Sequence, residues 1–176
     1  FVQMYRALEG LKNKEFEKIV ICKPIVEASR SIGFLPGDLK EKTDVYLKSF
    51  YDNISKIVGR DNVNSVMAKI VFEHVGFLRG NTLPEYSCII LSEVQNLTAS
   101  EAHTYITRVP STSKLFINGD ASQSDLGTKS GLNDFLESIS GIDGVGIALL
   151  DPEKHQMRDK QIIEITKRYI EIQKRK

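Results

Sequence analysis

The sequence predicts an α/β fold of three layers, with a mostly parallel sheet covered on its faces by helices. Two observations carry this expectation. Helical and strand-like segments alternate along the chain. The strand-like segments are short, branched and apolar at consecutive positions, as in strands buried on both faces. Size agrees: 176 residues, 41% hydrophobic and 27% charged, make one domain large enough to bury a real core.

The first helix spans residues 1–12, with Phe1, Tyr5, Leu8 and Leu11 on one face at spacings of four and three. Gly10 and Asn13 loosen the turn before Lys18–Lys23, a buried strand. Pro24, Gly33, Pro36 and Gly37 punctuate a long loop. A second helix is expected from about Lys42 to Val58, its buried side formed by Leu47, Tyr51, Ile54 and Val58. A short helix over Asn62–Lys69 and a strand over Ile70–Val75 follow. Tyr86–Leu91 and Lys114–Asn118 are the next strands, separated by a helix over Ser100–Arg108 that Thr98 or Ser100 caps. A helix over Asn133–Ile139, a strand over Val145–Leu150 and a helix from Asp159 to about Gln173 complete the order. No repeat, low-complexity tract or linker divides the chain, so residues 1–176 are expected to form one domain.

A net charge of +1 gives no support for a highly basic nucleic-acid binder, although it leaves room for a local basic surface. No apolar run approaches the roughly 20 residues of a membrane span, and the first residues lack the pattern of a signal peptide. The two cysteines, Cys22 and Cys88, each sit in an apolar run, as buried free thiols do. A cytoplasmic location fits them. His74, His103 and His155 lack the paired spacing of a metal site and are expected as surface or strand-end residues.

Two strand ends carry chemistry. Cys88-Ile-Ile-Leu-Ser-Glu-Val-Gln-Asn96 has the form of a Walker B strand, four apolar residues running into an acidic position. A buried strand tip holds a carboxylate rigidly beside Mg2+ and a triphosphate, where it orients an attacking water. A solvated Glu after a core strand is the rival reading of this segment alone. Lys114-Leu-Phe-Ile-Asn-Gly-Asp-Ala-Ser-Gln123 is a second strand, ending in Gly119, Asp120 and Gln123. It is similar to the Gly-Asp-x-x-Gln element of superfamily I helicases, whose Gln senses the terminal phosphate. A Gln offers a donor and an acceptor that do not titrate. Gly-Asp is also good turn chemistry, which is the bland alternative.

Segment after segment then resembles the PhoH-like proteins. Lys23-Pro24-x-x-Glu27-Ala28 and Gly33-Phe-Leu-Pro-Gly-Asp-Leu39-x-Glu41-Lys42 match the family's long loop. Arg79-Gly80-x-Thr82-Leu83, Ser92-Glu93-Val94-Gln95-Asn96, Gly119-Asp120-x-x-Gln123-x-Asp125-Leu126 and Lys129-Ser130-Gly131-Leu132 follow in family order. The resemblance covers nearly the whole chain and implies a RecA-like P-loop NTPase core. It implies that Glu93 positions water, that Gln123 senses the γ-phosphate, and that Gly119 and Asp120 shape the turn bearing Gln123. Gln95 and Asn96 would couple that site to a neighbouring subunit or to nucleic acid. Arg158 stands where the family has an Arg before its last helix, either as an arginine finger across a subunit interface or as a solvated helix-start residue. Arg79 and Lys129, and more weakly Arg30, are candidates for phosphate or nucleic-acid contact, with ordinary surface charge as the alternative. The implied ligands are ATP and Mg2+. The implied partners are RNA or single-stranded nucleic acid and further copies of the chain, in a ring for which a hexamer is one size. The family name also carries an association with phosphate starvation, which is a label about expression.

The chain departs from the family pattern in two places. No Gly-x-x-x-x-Gly-Lys-[Ser/Thr] loop occurs in the 176 residues, so this segment alone is expected to hold ATP poorly. The loop and the strand feeding it are expected directly before Phe1, in a longer parent. Ser92 replaces the Asp of the Walker B pair; its hydroxyl can touch a Mg2+-bound water but brings no charge. Asn81 stands where an Arg is common, and the loop from Ser124 to Thr128 is short. The expected function is ATP hydrolysis coupled to RNA or single-stranded nucleic acid. The competing reading is a catalytically impaired relative acting as a scaffold or nucleic-acid-binding module. A helicase proper would need a second RecA-like domain, which this chain does not supply.

Overall fold

The computed structural model describes residues 1–24, 50–74, 82–150, 155 and 159–174. Among them, Val2–Lys12 form α1, Lys18–Lys23 β1, helical residues 50–58 α2, Val63–Met67 α3, Ile70–His74 β2 and Ser87–Leu91 β3. Ala99–Ile106 form α4, Lys114–Ile117 β4, Leu132–Ile139 α5 and Lys160–Lys174 α6. The chain divides into two compact units, Phe1–Ser138 and Ile139–Lys176.

The first unit is built on a four-stranded sheet of order β2-β1-β3-β4, parallel at every pairing. Its two central strands are apolar on consecutive residues because successive side chains point to opposite faces and both faces are covered. Ile19 and Ile21 of β1 join Cys88 and Ile90 of β3 in one core cluster with Met4, Ala7, Leu8 and Leu11 of α1, Ile54 of α2 and Val63 of α3. Val20, Cys22, Ile89 and Leu91 face the other way, into a second cluster with Val94, Leu97, Ala102, Tyr105 and Leu132. Helices on both faces give the expected three-layer α/β/α architecture. Burial raises the thiol of Cys88 to about 12 and that of Cys22 higher still, so both are inert packing groups.

Several expectations need correction. The buried face of α1 is Met4, Ala7, Leu8 and Leu11, while Phe1 and Tyr5 are 65% and 48% exposed. The spacing 4, 7, 8, 11 follows one side of an α-helix more closely than 1, 5, 8, 11 does. Tyr51 is likewise exposed on α2, where Phe50, Ile54 and Ile57 make the core contacts. Tyr86 is not the first strand residue: it stands at φ +49° before Ser87, and its carbonyl accepts from Glu17 N at 2.7 Å. The expected strand over Val145–Leu150 does not form: the segment has no strand structure, and Leu149 and Leu150 are each 78% exposed. Its branched residues favour extended backbone, but a strand also needs a neighbour to complete its ladder. Among the described residues the four sheet strands pair only with one another.

The last helix, in the second unit, stands one residue from its expected bounds and carries an Arg168–Glu164 ion pair at 2.8 Å. The expected helix before residue 50 and Val75 lie outside the described residues.

Candidate active site

Because the strands are parallel, their carboxyl ends share one edge of the sheet, and β3 and β4 lie side by side there. The strand following β1 in the sheet therefore delivers Ser92 and Glu93 beside Asn118, Gly119 and Asp120. In folds of this kind the carboxyl edge is where ligands bind.

Two residues past the end of β3, Glu93 turns the chain abruptly. It occupies the left-handed region at φ +61°, ψ +41°, which a non-glycine residue seldom adopts and which costs on the order of 1 kcal/mol. The surrounding bonds hold it there. Ser92 N donates to Cys22 O at 2.9 Å, and Val94 N donates to Asn118 O at 3.1 Å. The side-chain oxygen of Asn118 accepts from Ser92 Oγ at 3.0 Å and from Glu93 N at 3.4 Å.

Gln95 joins the two strand tips. It is fully buried, a position a Gln occupies only when its amide is satisfied. Its Nε2 donates to Glu93 Oε2 at 2.7 Å, and its Oε1 accepts from Asp120 N at 3.1 Å. Gly119 allows the approach. A Cβ there would lie 3.0 Å from Gln95 Oε1 and 3.3 Å from Gln95 N. Gln95 thus bridges the Glu93 carboxylate and the Gly-Asp turn within the chain.

Asp120 organises that turn. Its Oδ1 accepts from Ser122 N at 2.9 Å and Ser122 Oγ at 2.6 Å, and its Oδ2 accepts from Gln123 Nε2 at 2.6 Å. These bonds, the Ser122 hydroxyl first, hold the carboxyl below the usual carboxylate range. Gln123 is solvent-exposed and tethered by Asp120. Asn96 Oδ1 accepts from Asp125 N at 2.9 Å, and Ser124 Oγ donates to Gln95 O at 2.9 Å, so the short loop after Gln123 is pinned to the β3 exit.

Lys129 is exposed on the turn Gly127–Lys129. Behind it, Gly131 N donates to Leu97 O at 2.8 Å, and the backbone of Gly131 lies against Thr98 and Ala99. The Lys-Ser-Gly-Leu string therefore seats α5 on the start of α4. Arg30, Arg79 and Arg158, with Asn81 and the Gly33 loop, lie outside the described residues. No group of three His, Cys, Asp or Glu side chains able to hold a metal occurs among the described residues.

Two further residues, Asn118 and Gln3, join the strand tips without belonging to either motif. Gln3 Nε2 donates to Ile117 O at 2.8 Å, and Asn118 Nδ2 donates to Gln3 Oε1 at 2.5 Å. Asn118 directly precedes the Gly-Asp pair in the sequence. Gln3 is 115 residues away and has no local signal.

A parallel three-layer core, with a Walker B-like carboxylate wired to a Gly-Asp-x-x-Gln turn at its carboxyl edge, is of the P-loop NTPase type. The family model for PhoH-like protein matches residues 1–170, and the chain belongs to that family. It is 41% identical to a PhoH-like protein of Bacillus subtilis (strain 168), over 86% of this chain and 48% of that protein. It is 34% identical to a PhoH-like protein of Mycobacterium tuberculosis (strain ATCC 25618 / H37Rv), over 97% and 50% of the two chains. With Protein PhoH of Escherichia coli (strain K12) it shares 31% identity over 87% and 45%. The chain spans about half the length of these curated relatives.

Proposed function

We propose that this chain is the catalytic-carboxylate and phosphate-sensing part of an ATPase, whose hydrolysis is coupled to RNA or single-stranded nucleic acid. The observation that carries the reading is the strained, left-handed Glu93, whose carboxylate is held by buried Gln95 while the other end of the same amide holds the turn bearing Gln123. Strain maintained by a surrounding network at a strand tip is characteristic of functional sites. Resemblance to the PhoH-like family supplies the nucleotide.

In this reading Glu93 accepts a hydrogen bond from the attacking water and orients it. Gln123 meets the γ-phosphate with its amide, and Asp120 holds that amide through Oδ2. When bound, Mg2+ would neutralise phosphate charge, and the oxygen donors at hand suit a hard cation. Ser92 and Glu93 would hold it. The Ser92 hydroxyl donates its proton to Asn118, which leaves its lone pairs for a metal-bound water. Arg158 would act across a subunit boundary in a ring-shaped homo-oligomer, while Arg79, Lys129 and Arg30 would meet phosphate or nucleic-acid backbone. Among the described residues no helix is long and apolar enough to cross a membrane, and the two buried thiols fit a cytoplasmic location.

Ser92 favours one second reading, a catalytically impaired scaffold, because a hydroxyl stands where the family carries a carboxylate. Phosphate release from ATP by the full-length protein, with and without single-stranded RNA, separates the two. The ATPase reading expects turnover that Glu93→Gln lowers by about a hundredfold, as for loss of a general base. Turnover that is absent, or indifferent to Glu93→Gln, supports the scaffold.

A further inference from the structure

We propose that Asn118 is a positioning residue for Glu93, and that Gln3 locks it, tying the first turn of α1 to the carboxylate's backbone. The inference rests on the reading of Glu93 given above.

Asn118 templates the whole kink. Its backbone N donates to Leu91 O at 3.0 Å and its backbone O accepts from Val94 N at 3.1 Å. Its Oδ1 takes the Ser92 hydroxyl and the Glu93 N–H between those two points. Every residue from Leu91 to Val94 therefore has a bond to Asn118. The Glu93 N–H would otherwise have no partner among the described residues, and the one side-chain bond to the left-handed peptide would be gone while the flanking backbone bonds remained.

The orientation of the two amides is fixed by backbone groups that cannot reverse polarity. Ile117 O can only accept, so Gln3 must present Nε2 to it, which leaves Gln3 Oε1 facing Asn118. Glu93 N can only donate, so Asn118 must present Oδ1 to it, which leaves Nδ2 for Gln3. The two requirements agree, and the resulting relay is internally consistent from end to end. It connects helix α1, Ile117 at the end of β4, and the exit of β3. A shift of the α1 start would be felt at the Glu93 backbone through two hydrogen bonds.

The test is steady-state ATP turnover by the full-length protein carrying Asn118→Ala, Gln3→Ala, both, or Glu93→Gln, with thermal melts of each. Asn118→Ala should lower kcat about tenfold and Gln3→Ala about threefold, with KM for ATP within about twofold of wild type. The double variant should be no slower than Asn118→Ala, because Gln3 acts through Asn118. Unchanged kcat, a loss carried by KM, or a loss that only tracks a lowered melting temperature overturns the proposal. Should Asn118→Ala fail to fold, Gln3→Ala decides by the same criteria. Turnover that falls with Glu93→Gln but not with these variants removes the relay alone. Turnover indifferent to Glu93→Gln removes the functional reading and the relay with it.

Discussion

At the scale of single residues, the site depends on groups whose conformations neighbours dictate. Glu93 is left-handed because Asn118 and Cys22 bind its flanking peptide groups, and Gln95 then aims its carboxylate. Asp120 gives a measurable sign of the same order. Its carboxylate is stabilised by the Ser122 hydroxyl foremost and by Gln123, so its folded pKa lies below its unfolded one. The stabilisation is thus fully present above the unfolded value of about 3.9 and is lost as pH falls through the lower folded value. In an NMR titration the Asp120 carboxyl should have its midpoint below about 3.9, with the Gln123 side-chain amide shifting in step. A midpoint at or above that value would show that the turn does not hold the carboxylate.

At the scale of elements, legibility followed the locality of the signal. Helix α4 was readable from its cap: Thr98 accepts from Glu101 N at 3.3 Å, and Glu101 Oε2 accepts from Thr98 N at 2.9 Å. The faces of α1 and α2 are less legible in the sequence, because Phe1, Tyr5 and Tyr51 are large and apolar yet exposed. Hydrophobicity identifies what can be buried, and only the neighbouring layer decides what is. Gly131 shows a constraint that only the fold discloses. A Cβ there would lie 2.4 Å from Ala99 N, a backbone atom that cannot step aside. Gly131→Ala should therefore destabilise the fold by about 1–3 kcal/mol in denaturant melts. Gly146→Ala, where a Cβ would meet nothing within 4 Å, is the control and should fall within about 0.5 kcal/mol of wild type. Equal effects at the two glycines would mean that the seat of α5 on α4 is not tightly packed.

At the scale of the molecule, the parallel sheet was legible because KIVICK and SCIIL are apolar on both faces, which requires helices on both sides. Val145–Leu150 has the same local character and forms no strand with the described residues, since strand identity is completed by a neighbour and not by composition. The strand tips were legible as two separate motifs, Ser92–Asn96 and Gly119–Gln123. Their union was not, because the bonds from Gln95 to Asp120 and from Ser92 to Asn118 span 25 and 26 residues. The central claim is that these tips work as one phosphate-reading unit. A double-variant cycle in ATP turnover by the full-length protein, using Glu93→Gln and Gln123→Ala, tests it most directly. Each single change should lower kcat by about tenfold or more, and the pair should be no slower than the slower single variant. Losses that multiply, or turnover that neither change affects, would contradict the account.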